Sequence, residues 1–181
     1  MKTVTLFRHA KSDWNDSVSR DFDRPLNERG KRAASLMGEW ARKQGLCFDA
    51  IVASPAVRVT ETLDCFLEAY RHTIDTRWDR RIYLASSATL LDVLRDLPDD
   101  LNSILMVGHN PGLEDLVLDT VPDDAADRLR EAVEVKYPTA AIATLQFAAD
   151  RWTSLARPAQ LTAFTRPRDL DAALGPDARQ H

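Results

Sequence analysis

Apolar residues fall in short bursts along the chain, each followed by a longer stretch with helical periodicity. Val4 to Phe7, Ile51 to Ala53 and Ile104 to Val107 are aliphatic runs bounded by turn residues. That is the pattern of strands buried on both faces of a parallel sheet. Behind the first run lies the polar loop KSDWNDSVSRDFDRPLNERG, in which Asn27 is placed to cap a helix through KRAASLMGEWARKQG that stops at Gly45. Ala33, Leu36, Met37 and Trp40 recur on it at helical spacing and predict a core-facing stripe. After the second run, SPAVRVTETLDCFLEAY predicts a helix with Ser54 as N-cap and Pro55 at its first position. RIYLASSATLLDVLRDL predicts a short strand and a capped helix, and NPGLEDLVLDTV a helix with Pro111 near its first turn. The final third changes character: TAAIATLQFAA, RWTSL and AQLTAFTRP read as antiparallel strands that complete one edge of the sheet.

Strand–helix alternation with a strand-rich end predicts an α/β protein, a three-layer α/β/α sandwich around a mixed, mostly parallel central sheet. No repeat or linker divides the chain, so residues 1–174 are expected to form a single domain, with 175–181 a flexible tail. A chain of 181 residues buries a sufficient core without disulfides or metal. Its 24 basic and 28 acidic residues give a net charge of -4 and are mixed along the sequence, which argues against a nucleic-acid partner. Cys47 and Cys65 each adjoin a phenylalanine and read as small core residues. The four histidines show no metal-ligand spacing, and no cofactor is expected. With no apolar leader or spanning segment in view, the expectation is a cytoplasmic protein with no membrane partner.

Ligands of open α/β sheets bind beyond the carboxyl ends of the strands. Three predicted strand ends here carry cationic or imidazole groups: Arg8 and His9 in FRHA, Arg58 in SPAVR and His109 in GHN. Taken singly, each of these short patterns is uninformative. Their recurrence at strand ends predicts one anion site, and the planar fork of arginine suits phosphate oxygens. Asn110, in the same turn as His109, and Arg24, in DFDRPLNERG, are further candidates for contact with substrate.

LFRHAKSDWN, DFDRPLNERG, SPAVRVTETL and VGHNPGLEDL occur in an order that resembles the histidine phosphatase superfamily, in the branch that includes the phosphoglycerate mutases. The short length, the RHAKS opening and the DRPLNERG block are most similar to SixA-type phosphohistidine phosphatases. The resemblance implies a phosphoglycerate mutase-like fold. It also implies that His9 is a nucleophile that becomes phosphorylated, that Arg8 and Arg58 hold the phosphoryl oxygens, and that His109 contacts the same group. Asn15 falls where members of the wider branch place a ligand-contacting asparagine. Position 10 is alanine where the superfamily motif has glycine.

Chemistry and resemblance agree. A neutral imidazole attacks phosphorus, nearby arginines disfavour its protonation, and fixed cations, including a protonated His109, hold the transition-state charge. Relatives that hydrolyse esters use a carboxylate near the turn after the second block. Here RIYLASSATLL has none, although Asp79 and Asp92 flank it. An alkoxide leaving group needs a proton, whereas the imidazole of phosphohistidine needs little help. The reading is a phosphatase for phosphohistidine in proteins. A phosphatase for small phosphate esters, with Asp13, Asp16 or Glu114 as the acid, is the alternative. A non-catalytic phosphoprotein-binding module is the reading from another class.

Overall fold

The structure is a computed structural model, and it describes residues 1–15 and 20–175. The candidate acid Asp16 and all of the expected tail beyond Gly175 lie outside the described residues.

Six strands form one sheet: β1 (Lys2–Arg8), β2 (Ala50–Ala53), β3 (Thr76–Trp78), β4 (Ser103–Gly108), β5 (Ile142–Phe147) and β6 (Ala159–Thr165). Their order is β3-β2-β4-β1-β5-β6. β3, β2, β4 and β1 run parallel, and β5 is antiparallel to both β1 and β6. The expected mixed sheet is present, with β1 at its centre.

Alternation along the strands sorts the core into two layers. Phe7, Ile51 and Val107 face helices α1 (Glu28–Lys43) and α2 (Val57–Tyr70), meeting Met37, Leu63 and Phe66. Leu6, Val52 and Met106 face the other way, towards α3 (Ser87–Arg95), α4 (Gly112–Thr120) and α5 (Arg128–Val135). The three-layer sandwich follows. A short α6 (Pro167–Leu170) closes the described chain near α1.

Asn27 caps α1 as expected, its side chain accepting from Gly30 N at 2.7 Å, and Gly45 ends it in the left-handed region at φ 68°. Gly30 is required by a close approach: a Cβ there would lie 2.1 Å from Lys11 O, on the loop that follows β1. Helix α1 therefore abuts the backbone just beyond the first strand.

Several local expectations need correction. RIY is not a strand but a 3-10 turn over Arg80–Ile82, and the strand lies earlier, in the mostly exposed edge segment Thr76–Trp78. RWTSL likewise makes a 3-10 turn, because Trp152 is buried and donates Nε1–H to Leu101 O at 2.8 Å. Cys47 is exposed, not core. Helix α2 starts at Val57 with Ala56 at its cap, so Ser54 is not the N-cap. The Ser54–Pro55–Ala56 turn delays the helix and leaves the serine hydroxyl for another partner.

Candidate active site

Parallel pairing of β1 with β4, and of β4 with β2, brings three strand ends to one side of the sheet. Arg8 ends β1, His9 follows it, His109 follows β4, and Arg58 is the second residue of α2 after β2. All four line one cavity of about 710 Å³. The four residues singled out at strand ends thus meet.

His9 is 8% exposed. Its Nδ1 lies 2.7 Å from Ala10 O. A carbonyl can only accept, so Nδ1 carries the proton and Nε2 keeps its lone pair. Burial is the largest cause lowering the His9 pKa to about 3, and the neighbouring His109, Arg58 and Arg8 add to it, against the bond to Ala10. The expected direction is met, with desolvation ahead of the arginines.

His109, 4% exposed, stands with its ring centroid 5.3 Å from that of His9. Arg58 Nη2 approaches its Nδ1 at 3.3 Å, and its Nε2 lies 2.8 Å from Ser54 Oγ. A guanidinium can only donate, so Nδ1 accepts and Nε2–H donates to the serine. This imidazole is neutral, with its pKa pushed down to about 3 by burial and the Arg58 charge. The protonated His109 expected in the transition state must therefore gain its proton after the free site is filled. A bound phosphoryl anion would have to supply the charge that holds that proton.

The arginines are anchored from behind. Arg8 donates Nη1–H to Tyr137 O at 2.8 Å, and Tyr137 donates its hydroxyl to Leu6 O at 2.5 Å. Ala140 N reaches the carbonyls of Arg8 and His9 at 3.1 and 3.0 Å, so the segment after α5 clamps the end of β1. Across the site, Thr62 on α2 accepts from Ala10 N at 2.9 Å and donates to Arg58 O at 2.6 Å. Among the described residues, the Nε atoms of both Arg8 and Arg58 are buried with no hydrogen-bond partner. Buried cationic donors left unmatched are costly, and an anion entering the cavity offsets the charge of the two guanidinium groups as a whole.

Asp21 was not foreseen. It sits in a 3-10 turn and accepts from Arg58 Nη2 at 3.0 Å, Arg24 Nη2 at 2.8 Å and Tyr83 OH at 2.6 Å. Its backbone carbonyl takes Arg58 Nη1–H at 2.8 Å. Partial burial acts to raise its pKa, but the bonds from Tyr83 and Arg24 and the charge of Arg58 hold it well below the usual carboxylate range. It is the only carboxylate lining the cavity among the described residues. The i,i+3 spacing to Arg24 was the available signal.

Arg24 also lines the cavity, donates to Ser12 Oγ at 2.6 Å and stacks on Trp14 at 3.6 Å from the ring centroid. Asn110 lines it too, with its amide donating to Tyr137 O at 3.0 Å and its Oδ1 accepting from Glu114 N. Asn15 is not brought to the site: it is exposed, and its backbone N–H bonds Asp13 Oδ1. Of the proposed acids, Asp13 and Glu114 do not line the cavity, nor do the flanking Asp79 and Asp92. Among the described residues no cluster of His, Cys, Asp or Glu is suited to a metal ion, and no helix is long and apolar enough to cross a membrane.

Comparisons with known proteins bear on the family and the fold. Residues 4–82 match the family model of the histidine phosphatase superfamily (branch 1). An uncharacterized protein of Mycobacterium tuberculosis is 35% identical over 145 residues, covering 78% of this chain and 87% of the relative. The crystal structure of a SixA protein from Agrobacterium tumefaciens is similar with a TM-score of 0.76 and 30% identity, over 92% of this chain and 98% of that one. A structure of the protein histidine phosphatase SixA, 19% identical, shares the fold at a TM-score of 0.76, over 93% of this chain and 99% of that one.

Proposed function

This chain belongs to the histidine phosphatase superfamily, and on that premise we propose that it hydrolyses the P–N bond of phosphohistidine in proteins through a covalent phosphohistidine on its own His9. The observation that carries the choice of bond is the state of Asp21. As the single carboxylate lining the cavity among the described residues, it is occupied by Arg58, Arg24 and Tyr83 and held deprotonated. It is poorly suited to protonate an alkoxide. A phosphohistidine whose second ring nitrogen is protonated departs as neutral imidazole and needs no such donor.

Attack by His9 Nε2 on phosphorus breaks the substrate P–N bond, whose electron pair leaves with the substrate imidazole. Arg8 and Arg58 hold the equatorial oxygens throughout. The hydrogen bond from Nδ1 to Ala10 O then serves a second time. It keeps the phosphorylated ring protonated at Nδ1, so water attacking phosphorus expels His9 as a neutral imidazole and releases phosphate.

Hydrolysis of a small phosphate ester is the second reading, for which Glu114, outside the cavity lining but bonded through its N–H to the lining residue Asn110, is the candidate acid. Burial and Asp115 push its carboxyl up towards the protonated form, although Arg8 opposes this. A turnover panel of phosphohistidine peptide, phosphoramidate, sugar phosphates and nucleotides tests the choice, paired with trapping of acid-labile phosphate on His9. The P–N substrates are expected to be fastest, with label on His9. Faster sugar phosphates with no label on His9 would overturn both substrate and mechanism.

A further inference from the structure

The cavity is strongly basic in a chain that is acidic overall. Among the described residues, seven of its lining side chains are Lys or Arg and one is a carboxylate, whereas the whole chain has 24 basic against 28 acidic residues. The inner part accounts for only some of them: Arg8 and Arg58 serve the phosphoryl group, and Arg24 is paired with Asp21. Arg29, Lys136 and Arg168 remain, and with Lys11, which also lines the cavity, they come from four separate segments of the chain. Lys11 follows β1, Arg29 lies in the first turn of α1, Lys136 follows α5, and Arg168 is on α6. Arg29, Lys136 and Arg168 have no ion pair with a described carboxylate. Arg29 instead donates to Gly175 O, which fixes it against the end of the described chain.

One phosphoryl dianion does not balance this charge. Keeping so many like charges around one cavity costs self-repulsion, and that cost is offset when an anionic partner enters. The rim beside these cations also exposes large apolar groups. Trp14 is 76% exposed and Leu84 57% exposed, and both line the cavity. Trp14 carries the stacked Arg24 guanidinium on one face of its ring. Aromatic, aliphatic and arginine side chains around a charged centre are the composition of a protein-binding rim.

We propose that the rim formed by Lys11, Arg29, Lys136 and Arg168, with Trp14 and Leu84, docks an acidic protein surface surrounding the phosphohistidine. The inference rests on the phosphohistidine reading above and extends it from the scissile bond to the surface that carries it. Acidic residues on both sides of the phosphorylated histidine would lie over the outer cations while the phosphoryl group reaches Arg8 and Arg58. Substrate choice then depends on long-range charge as well as on the bond, and it weakens as salt shortens the reach of these charges to about 8 Å at physiological ionic strength.

Two synthetic phosphohistidine peptides, identical except for flanking glutamates in one and flanking lysines in the other, test this, with phosphoramidate as a reference substrate. At low salt the glutamate peptide is expected to have a kcat/KM higher by roughly 10-fold or more, and the ratio to fall steeply with added salt. The paired substitution Lys136→Glu and Arg168→Glu is expected to abolish or invert the ratio. Equal turnover of the two peptides at low salt by the wild-type chain, alongside active turnover of phosphoramidate, overturns the docking inference alone. A rate for inorganic triphosphate or nucleotides above that of the glutamate peptide assigns the rim to small polyanions and also overturns it. Absence of turnover on both peptides and on phosphoramidate overturns the phosphohistidine reading instead. Because the salt titration uses the wild-type chain, the test stands even where the double variant folds poorly.

Discussion

Arg58 donates to Nδ1 of His109 at 3.3 Å, and by doing so it fixes that imidazole as an acceptor towards the arginine and a donor towards Ser54. The second histidine is therefore a neutral group waiting beside a cation. Phosphate or vanadate entering the cavity is expected to raise its pKa. Titration of the His109 ring by NMR should show it neutral from pH 5 to 8 in the free protein, with an upward shift on saturation with vanadate. A protonated His109 near neutrality without anion would contradict the assignment.

Replacing His9 with alanine removes the proposed nucleophile. Turnover of phosphoramidate should fall by roughly 10³-fold or more, with no acid-labile phosphate on the chain. Binding of phosphate should persist, since Arg8 and Arg58 are untouched.

Asp21→Asn tests orientation. Asn retains an oxygen but loses the charge shared by Arg58 and Arg24, and a guanidinium displaced by about 1 Å costs up to about 100-fold in rate. The expected loss is in kcat/KM for every substrate, with circular dichroism unchanged. Tyr83→Phe removes one hydrogen bond to the same carboxylate and should cost less, within about 10-fold.

Stability should rise with pH between about 3 and 6.5. Both His9 and His109 titrate near 3 in the folded chain, against 6.5 for the free side chain. The unfolded chain binds more protons across that interval, so acid favours unfolding. The depressed Asp21 carboxyl acts in the same sense at lower pH. Thermal melts at several pH values check this, and the slope should flatten in a His9→Ala, His109→Gln double variant.

Gly30→Ala should destabilise by about 1–3 kcal/mol, because the new methyl meets backbone and not a yielding side chain. The displaced backbone is the loop that leaves His9, so activity should fall in native-like protein as well. Denaturant melts and kcat measured on the folded fraction separate the two effects.

The central strands were legible because burial on both faces leaves an apolar run with no competing interpretation. Edge strand β3 was not: TRW is largely exposed, and RIY nearby is more apolar only because Ile82 plugs the core from a 3-10 turn. Helix α5, which the pattern did not single out, buries Val133 alone among its residues. In the site, Arg8, His9, Arg58 and His109 were legible because strand ends of a parallel sheet converge. Asp21 was not, since its role depends on a long loop folding back so that one carboxylate meets two arginines that are 34 residues apart in sequence. Ser54 matched a helix cap by residue type, and only the delayed start of α2 reassigns its hydroxyl to His109.

The placement of Met1 and Gly175 has a practical consequence for anyone labelling this protein. β1 begins at the end of the central strand away from the cavity and reaches His9 after seven residues, a run of about 23 Å at strand rise. Gly175, by contrast, is part of the cavity wall. A fluorophore attached at Met1 starts at the opposite end of the sheet from the cavity. One attached at Leu174, which lines the same wall, would bring its own charge into every comparison between acidic and basic substrates.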